Sequence, residues 1–395
     1  MTSTLNDRIT AAFGSHEPVV LDLSHRIGAQ PELAFEEYKT AAAIVDLLRS
    51  QGGFTLEEGV AGLDTAFTAT AGHGSLVVGL CAELDALPGI GHGCGHNVIA
   101  AASVGAALAL AEVADELDLT VRLLGTPAEE RGAGKSIMLR AGAFDGLHAA
   151  MMVHPQLKDM TTPHIRAIKH WSISYHGRTA HATRAFNGAL NAADAVTIAQ
   201  VAIGLLRQQL RDSDRVHTVI KEAGLAVNVI PGEAVVECMV RSDTLDEVDA
   251  LWVRIRACFE AGAIGAGVRM EISEPLMSLH GFRHDLELAD LFQTNAEALG
   301  RTFPDYPDRA LGSTDMSEVS VCLPAIHPVL SFDLPPEQGN HTAAFAVAAS
   351  GPQGDRVVHD GGLAMALTIA DAARDERIRR RLTDAGPFSW SARTE

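Results

Sequence analysis

Apolar residues recur at helical spacing over residues 3–28 and, beyond the break at Pro31, over 33–50, where Ala42, Ile44, Val45, Leu47 and Leu48 mark one face before Gly52 and Gly53 end the run. Runs of β type follow at 65–69 and 76–81. The second is almost unbroken in its apolar character, as a strand buried on both faces of a mixed sheet should be. An alanine-rich helix at 96–117, a strand at 120–124, a helix at 133–143 and a strand at 149–153 continue the alternation. This pattern predicts an α/β sheet, and in such sheets ligands gather beyond the carboxyl ends of the strands.

From about residue 164 the rhythm changes. A strand at 167–176, a helix at 189–209, strands at 215–221 and 234–241, a helix at 245–261 and a strand at 267–272 spell β-α-β-β-α-β, a self-contained ferredoxin-like unit. Polar, proline-marked junctions at Thr161-Thr162-Pro163 and Ser273-Glu274-Pro275 bound it, as expected of a domain inserted into a host. A helix at 286–299, a loop at 311–315, a strand at 329–332 and a terminal helix at 361–383 then complete the host. The expected division is 1–163 and 276–395 for the host and 164–275 for the insertion.

A chain of 395 residues, 47% apolar and 21% charged, is long enough for two cores and has no tract of disordered composition. A net charge of -19 repels phosphate backbones and anionic bilayers, which argues against nucleic-acid and membrane-surface binding. Five cysteines without regular spacing make no disulfide framework, and the first twenty residues lack a secretory apolar core, so a cytoplasmic setting is expected. The greasiest run, 98–111, falls short of the ~20 residues needed to cross a bilayer.

Chemistry concentrates in 81–97, CAELDALPGIGHGCGHN, where Cys94 and His96 flank a glycine and can both reach one borderline-soft cation. Glu129-Glu130, His154 and His341 lie downstream at strand ends or in the loops after them, making a scattered metal site. Of the two glutamates, one can ligate while its neighbour faces water. Read singly, each keeps another explanation: solvated loop carboxylates, a hydrogen-bonded core histidine at His154, a helix-entry histidine at His341. Gly132-Ala133-Gly134-Lys135-Ser136 fails as a phosphate loop because Glu129 stands where the first glycine belongs, and Gly89-Ile90-Gly91 lacks the third glycine of a dinucleotide fingerprint. The signatures of zincins, elbow-type serine hydrolases and nucleobase deaminases do not occur.

Taken in order, 82–97, Pro127-Ala128-Glu129-Glu130, Val153-His154-Pro155, Thr179-Ala180-His181-Ala182, Asn228-Val229-Ile230-Pro231, Gly312-Ser313-Thr314-Asp315 and Asn340-His341-Thr342 resemble the aminoacylase and glutamate-carboxypeptidase family of two-metal amidohydrolases. The likeness covers about 24–372 and is strongest to the branch with Xaa-Arg and β-alanyl-lysine dipeptidases, indole-acetyl-amino-acid hydrolases and aminobenzoyl-glutamate hydrolases. It implies a zinc-peptidase-type catalytic host carrying a dimerisation, or lid, insertion. It also implies hydrolysis of a dipeptide or N-acyl amino acid by water activated on two divalent ions. Cys94, His96, Glu130, His154 and His341 would be the ligands and Glu129 the general base, with Asp85 orienting a ligand. His181, from a partner subunit of a homodimer, would stabilise the oxyanion, and Asn228, Arg241, Ser313 and Thr314 would bind substrate. The thiolate favours zinc, while the other ligands leave manganese, cobalt or nickel open. Glu83 stands where wider relatives carry histidine, and Asn97 where many carry aspartate. A rival class is a metal-free carboxylate-binding module.

Overall fold

The computed structural model describes residues 4–274, 277–306 and 311–393, without the side chains of 186, 187 and 393. The chain forms two compact units, Met1–His164 with Arg283–Ala310 and Thr314–Glu395, and Ile165–Phe282 with Leu311–Ser313.

In the first unit a six-stranded mixed sheet runs in the order Thr55–Glu58, Phe67–Ala71, Leu119–Thr126, Leu76–Glu83, Ala149–Met151, Ala325–Ile326. Leu76–Glu83 pairs in parallel with both neighbours, which explains its unbroken apolar sequence. The helix His96–Ala111 is buried almost all round, with Leu5–Ala29 and Pro352–Arg374 packed against it. Small residues permit this closeness. A Cβ on Gly105 or Gly362 would lie within 2.8 Å of the Phe13 ring, so Phe13 fills the seam between the three helices.

The second unit is a sheet ordered Arg269–Ile272, Ala167–His176, Glu233–Ser242, Arg215–Glu222, antiparallel throughout, with Met277–Leu279 added beside Ala167–His176. Its helices Ala192–Leu206 and Leu245–Ala266 pack on each other and share a core with one sheet face. Thr244 and Glu247 form a reciprocal capping box at the start of the longer helix.

Several elements depart from the sequence expectation. The second helix begins at Tyr38, not 33, because Phe35 adopts φ 66 and Glu37 occupies the N-cap. The helix from His96 stops at Ala111 and yields to turns. The strand before His154 ends at Met151, and His154–Gln156 forms a separate pair with Val329–Ser331. The terminal helix starts at Pro352 and breaks at Asp375, whose side chain accepts from the N–H groups of Arg377 and Ile378 to cap a further helix, Glu376–Asp384. Pro275, part of one expected junction, lies outside the described residues. Among the described residues no helix is long and apolar enough to cross a membrane.

Phe13→Ala should destabilise the first unit by about 3 to 5 kcal/mol, the range for emptying a packed aromatic site. Urea unfolding reads this directly, and a loss under about 1 kcal/mol would show that the seam does not depend on the ring.

Candidate metal centre

Sheet topology sets the donors. Glu83 ends the strand Leu76–Glu83 and Asp85 follows it, Glu129 and Glu130 follow Leu119–Thr126, and His154 lies three residues after Ala149–Met151. All three strands are parallel, so these residues leave the same sheet edge. Gly95, at φ 81, turns the chain between Cys94 and His96, and a Cβ there would sit 2.4 Å from Pro155. Only glycine fits both constraints.

The five expected ligands and Glu129 come together. Sγ of Cys94 lies 3.7 Å from Nε2 of His154 and 3.7 Å from Nε2 of His341. Nε2 of His341 is 3.7 Å from Oε1 of Glu130, and Nε2 of His96 is 3.9 Å from both Oε1 of Glu130 and Oε2 of Glu129. Donor atoms of Cys94, His96 and His154 lie within 4.8 Å of one another, as do those of Cys94, Glu130 and His341. Cys94 therefore belongs to both trios. Ligands about 2.0 to 2.3 Å from a tetrahedral cation are about 3.3 to 3.8 Å apart, so these spacings are close to those of metal binding.

Second bonds fix which ring nitrogens face inward. Nδ1 of His154 is 2.6 Å from the Pro155 carbonyl and Nδ1 of His96 is 2.7 Å from the Asp85 carbonyl, so each ring donates there and turns Nε2 to the cluster, bare whenever the ring is neutral. Nε2 of His96, Oε1 of Glu130 and Oε2 of Glu83 are buried without a hydrogen-bond partner among the described residues. Burial pushes the Cys94 thiol up to about 12 and pulls His154 down to about 4. Burial, with Glu83, Asp315 and Glu130 nearby, holds Glu129 well above the usual carboxylate range. Crowded acids, an unionised thiol and orphaned lone pairs are what a cation would relieve, so the residues present fit a metal site.

Asp85 does more than touch His96. Its Oδ1 accepts from the Glu129 N–H and its Oδ2 from the Glu130 N–H, each at 3.0 Å, capping a one-turn helix, Glu129–Gly132. The pair thus leaves the sheet helically, after Ala128 at φ 59, and not along an extended strand. Glu83 is committed to Lys135, whose Nζ donates to it at 2.6 Å and to Asp315 at 2.5 Å. Burial would raise Glu83, but Lys135, His96 and His154 outweigh it and hold the carboxyl below its usual value. Lys135 and Asp315 are functional neighbours without a sequence signal for this role, although Lys135 stands in the failed phosphate loop and Asp315 in the Gly312–Asp315 motif.

The remaining candidates are divided between the two units. Thr314, in the first unit, accepts from the Met316 N–H. His181, Asn228, Arg241 and Ser313 belong to the second unit. There His181 is exposed and its Nδ1 accepts from the Thr183 N–H, leaving the neutral ring's proton on Nε2. The Asn228 carbonyl accepts from the Ala182 N–H, tying that segment to His181. Ser313 donates to the carbonyl of Arg166. Burial and the like charge of Arg166 lower the pKa of Arg241, and neither guanidinium forms an ion pair among the described residues. Arg166 carried no sequence signal.

Fold and donor set together define a metal-dependent hydrolase. The chain belongs to peptidase family M20/M25/M40, whose family model matches residues 79–345, and with the family comes the reaction class, cleavage of amide bonds. It is 32% identical over 367 residues to the Xaa-Arg dipeptidase of Mus musculus, covering 88% of this chain and 84% of that one. Similarity to one of the subunits of the p-aminobenzoyl-glutamate hydrolase of Escherichia coli K12 is 31% over 268 residues, covering 62% and 55%. Among solved structures, the YXEP protein of Bacillus subtilis, described as a dinuclear metal-binding peptidase of this family, matches with a TM-score of 0.68 at 21% identity over 91% of this chain and 99% of that one. The family expected from the motifs, and its mixed α/β fold, therefore hold.

Lys135→Met should cost about 3 to 5 kcal/mol, since it strands two buried carboxylates without their cation. Adding Glu83→Gln and Asp315→Asn should recover most of that loss in chemical denaturation. A triple variant no more stable than Lys135→Met would show that packing, not charge, holds the cluster.

Proposed function

We propose that this chain releases a free amino acid from a dipeptide or N-acyl amino acid, with Glu129 as general base. The observation that carries this reading is the pair of donor trios sharing Cys94, with Glu129 beside His96 and Glu130. Cys94, His96, Glu130, His154 and His341 would hold two divalent ions, zinc being favoured by the thiolate and manganese, cobalt or nickel remaining compatible with the other donors. When bound, the ions supply Lewis acidity toward the scissile carbonyl and acidify water.

The chain's own groups do the rest. Glu129, held at its backbone by Asp85, takes the proton of the attacking water and passes it to the leaving amine. His181, with its proton on Nε2, donates to the oxyanion as charge develops. Asn228, Arg241, Ser313 and Thr314 hold the amino acid being released. His181 acts from a partner subunit, so the working form is a homodimer built through the second unit. The edge strand Arg215–Glu222, with Val219 and Ile220 exposed, and the exposed Val201 and Leu205 of Ala192–Leu206 supply apolar surface for that contact. All five cysteines are free, which favours the reducing cytoplasm.

The Arg166 and Arg241 pair favours a second reading within the same reaction. Two neighbouring guanidiniums without carboxylate partners among the described residues suit release of an acidic amino acid, as from an aminobenzoyl-glutamate, better than release of arginine.

Glu129→Gln should lower kcat by about 10² to 10⁴ with metal content unchanged by elemental analysis. Cys94→Ser and His154→Ala should instead lose metal. Full metal in those variants would remove the ligand assignment. A panel of dipeptides ending in arginine or glutamate and of N-acyl amino acids, assayed with added Zn²⁺ or Mn²⁺, separates the two readings. Sizing should return a dimer that Val219→Lys weakens, and a fully active monomer would refute the shared site.

A further inference from the structure

We propose that Glu37 is a positioning residue for the general base: its carboxylate locks Ala128 in the left-handed conformation that aims Glu129. This rests on the reading of Glu129 as base. Glu37 is fully buried and sits far in sequence from the metal donors, at the N-cap of Tyr38–Gln51, yet it caps none of that helix's own N–H groups with its side chain. All its bonding capacity goes elsewhere. Oε1 accepts from the Ala128 N–H at 2.9 Å and from the Phe35 N–H at 3.0 Å, and Oε2 accepts from the Thr65 hydroxyl at 2.8 Å.

Both amides taken by Oε1 belong to residues with a Cβ in left-handed backbone, Ala128 at φ 59 and Phe35 at φ 66. Such residues avoid that region unless something holds them there. One oxygen holds two of them. The next two amides, of Glu129 and Glu130, are taken by Oδ1 and Oδ2 of Asp85. Three successive N–H groups, 128 to 130, thus hang from two buried carboxylates, and the Glu129 side chain inherits its direction from that backbone. Phe35 completes the brace: a Cβ on Gly132 would lie 2.4 Å from its ring, so the ring rests on the turn that carries the glutamate pair. Without the acceptor, the buried Ala128 N–H has no partner and the residue gains by returning to negative φ, which swings Glu129 away.

On this account reach matters and charge does not. Glutamine offers an oxygen at the Oε1 position and an NH₂ that can donate to the Thr65 oxygen, whereas aspartate keeps the charge but falls one methylene short. With the full-length, metal-loaded enzyme and the best substrate of the panel, Glu37→Asp should lower kcat about tenfold or more, with KM within about twofold and metal content unchanged. Glu37→Gln should stay within about threefold of the parent. In a Glu129→Gln background, Glu37→Asp should cost less than about twofold, because no base is left to aim. The Ala128 amide should exchange with solvent faster in Glu37→Asp, a readout independent of turnover. Parental kcat in Glu37→Asp, a slower Glu37→Gln than Glu37→Asp, or the same loss in both backgrounds would overturn the proposal. Glu129→Gln at the parental rate would remove the base assignment itself, whereas a slow Glu129→Gln beside a fast Glu37→Asp removes the role of Glu37 alone.

Discussion

Burying acids together is the constraint from which the first unit is built. Glu83, Asp85, Glu129, Glu130 and Asp315 share one region, with Glu83, Asp85 and Asp315 essentially without solvent. Each ionised carboxylate taken from water costs several kcal/mol unless something answers it. The chain answers in two ways. The Lys135 ammonium lies between Glu83 and Asp315, and these carboxylates hold it well above its ordinary pKa despite its burial. Backbone N–H groups of residues 129 and 130 answer Asp85. Oε2 of Glu83, Oε1 of Glu130 and Nε2 of His96 remain without a hydrogen-bond partner among the described residues, so the charge balance leaves lone pairs that a cation would answer.

His96 links those two parts. Its Nε2 lies 3.3 Å from Oε2 of Glu83, on the Lys135 side, and 3.9 Å from Glu130, on the metal side. Burial alone would keep the ring neutral, yet Glu83 and Asp85 hold its pKa well above the ordinary histidine value. The same carboxylates that favour a proton there favour a metal in its place. A substitution at Lys135 or Glu83 would therefore be felt at His96, which faces both Glu83 and Glu130.

Much of this was legible in the chain. Strand-helix alternation identified the sheet, and the rule that ligands collect at strand carboxyl ends anticipated why residues as distant as Asp85, Glu130 and His154 converge. Cys94 and His96, either side of Gly95, were visible as ligand types but weighed little alone, and the ordered series of motifs carried the reading. Lys135 and Glu37 did not. A buried lysine looks in sequence like any surface lysine, and its burial follows from carboxylates 52 and 180 residues away. Glu37 sits in a polar stretch, Glu36-Glu37-Tyr38-Lys39, that reads as the exposed face of a helix. Apolar spacing places the start of that helix at 33 because it cannot register that Phe35 adopts positive φ.

Much of the backbone strain falls near the candidate donors. Of the six non-glycine residues with positive φ among the described residues, Phe35, Ala128 and Ala133 surround the Glu129–Glu130 turn and His341, at φ 68, faces Cys94 and Glu130, while Ala61 and Asp118 lie apart from them. Such conformations cost about 1 kcal/mol or more each and persist only where the surroundings overdetermine them. For His341 that determinant is its N–H, which donates to the Gly93 carbonyl at 2.8 Å and ties the histidine to the loop carrying Cys94. For Ala133 it is the start of Gly134–Arg140, the helix that buries Lys135. Glycine at these positions would remove the strain and also the restriction, since a glycine reaches the same angles while populating many others. A residue with a Cβ, once forced into the left-handed region by buried hydrogen bonds, has few nearby alternatives. The backbone around the donors is therefore held in place by its neighbours and not by its own preferences, which makes the precision of the site a property of the whole first unit.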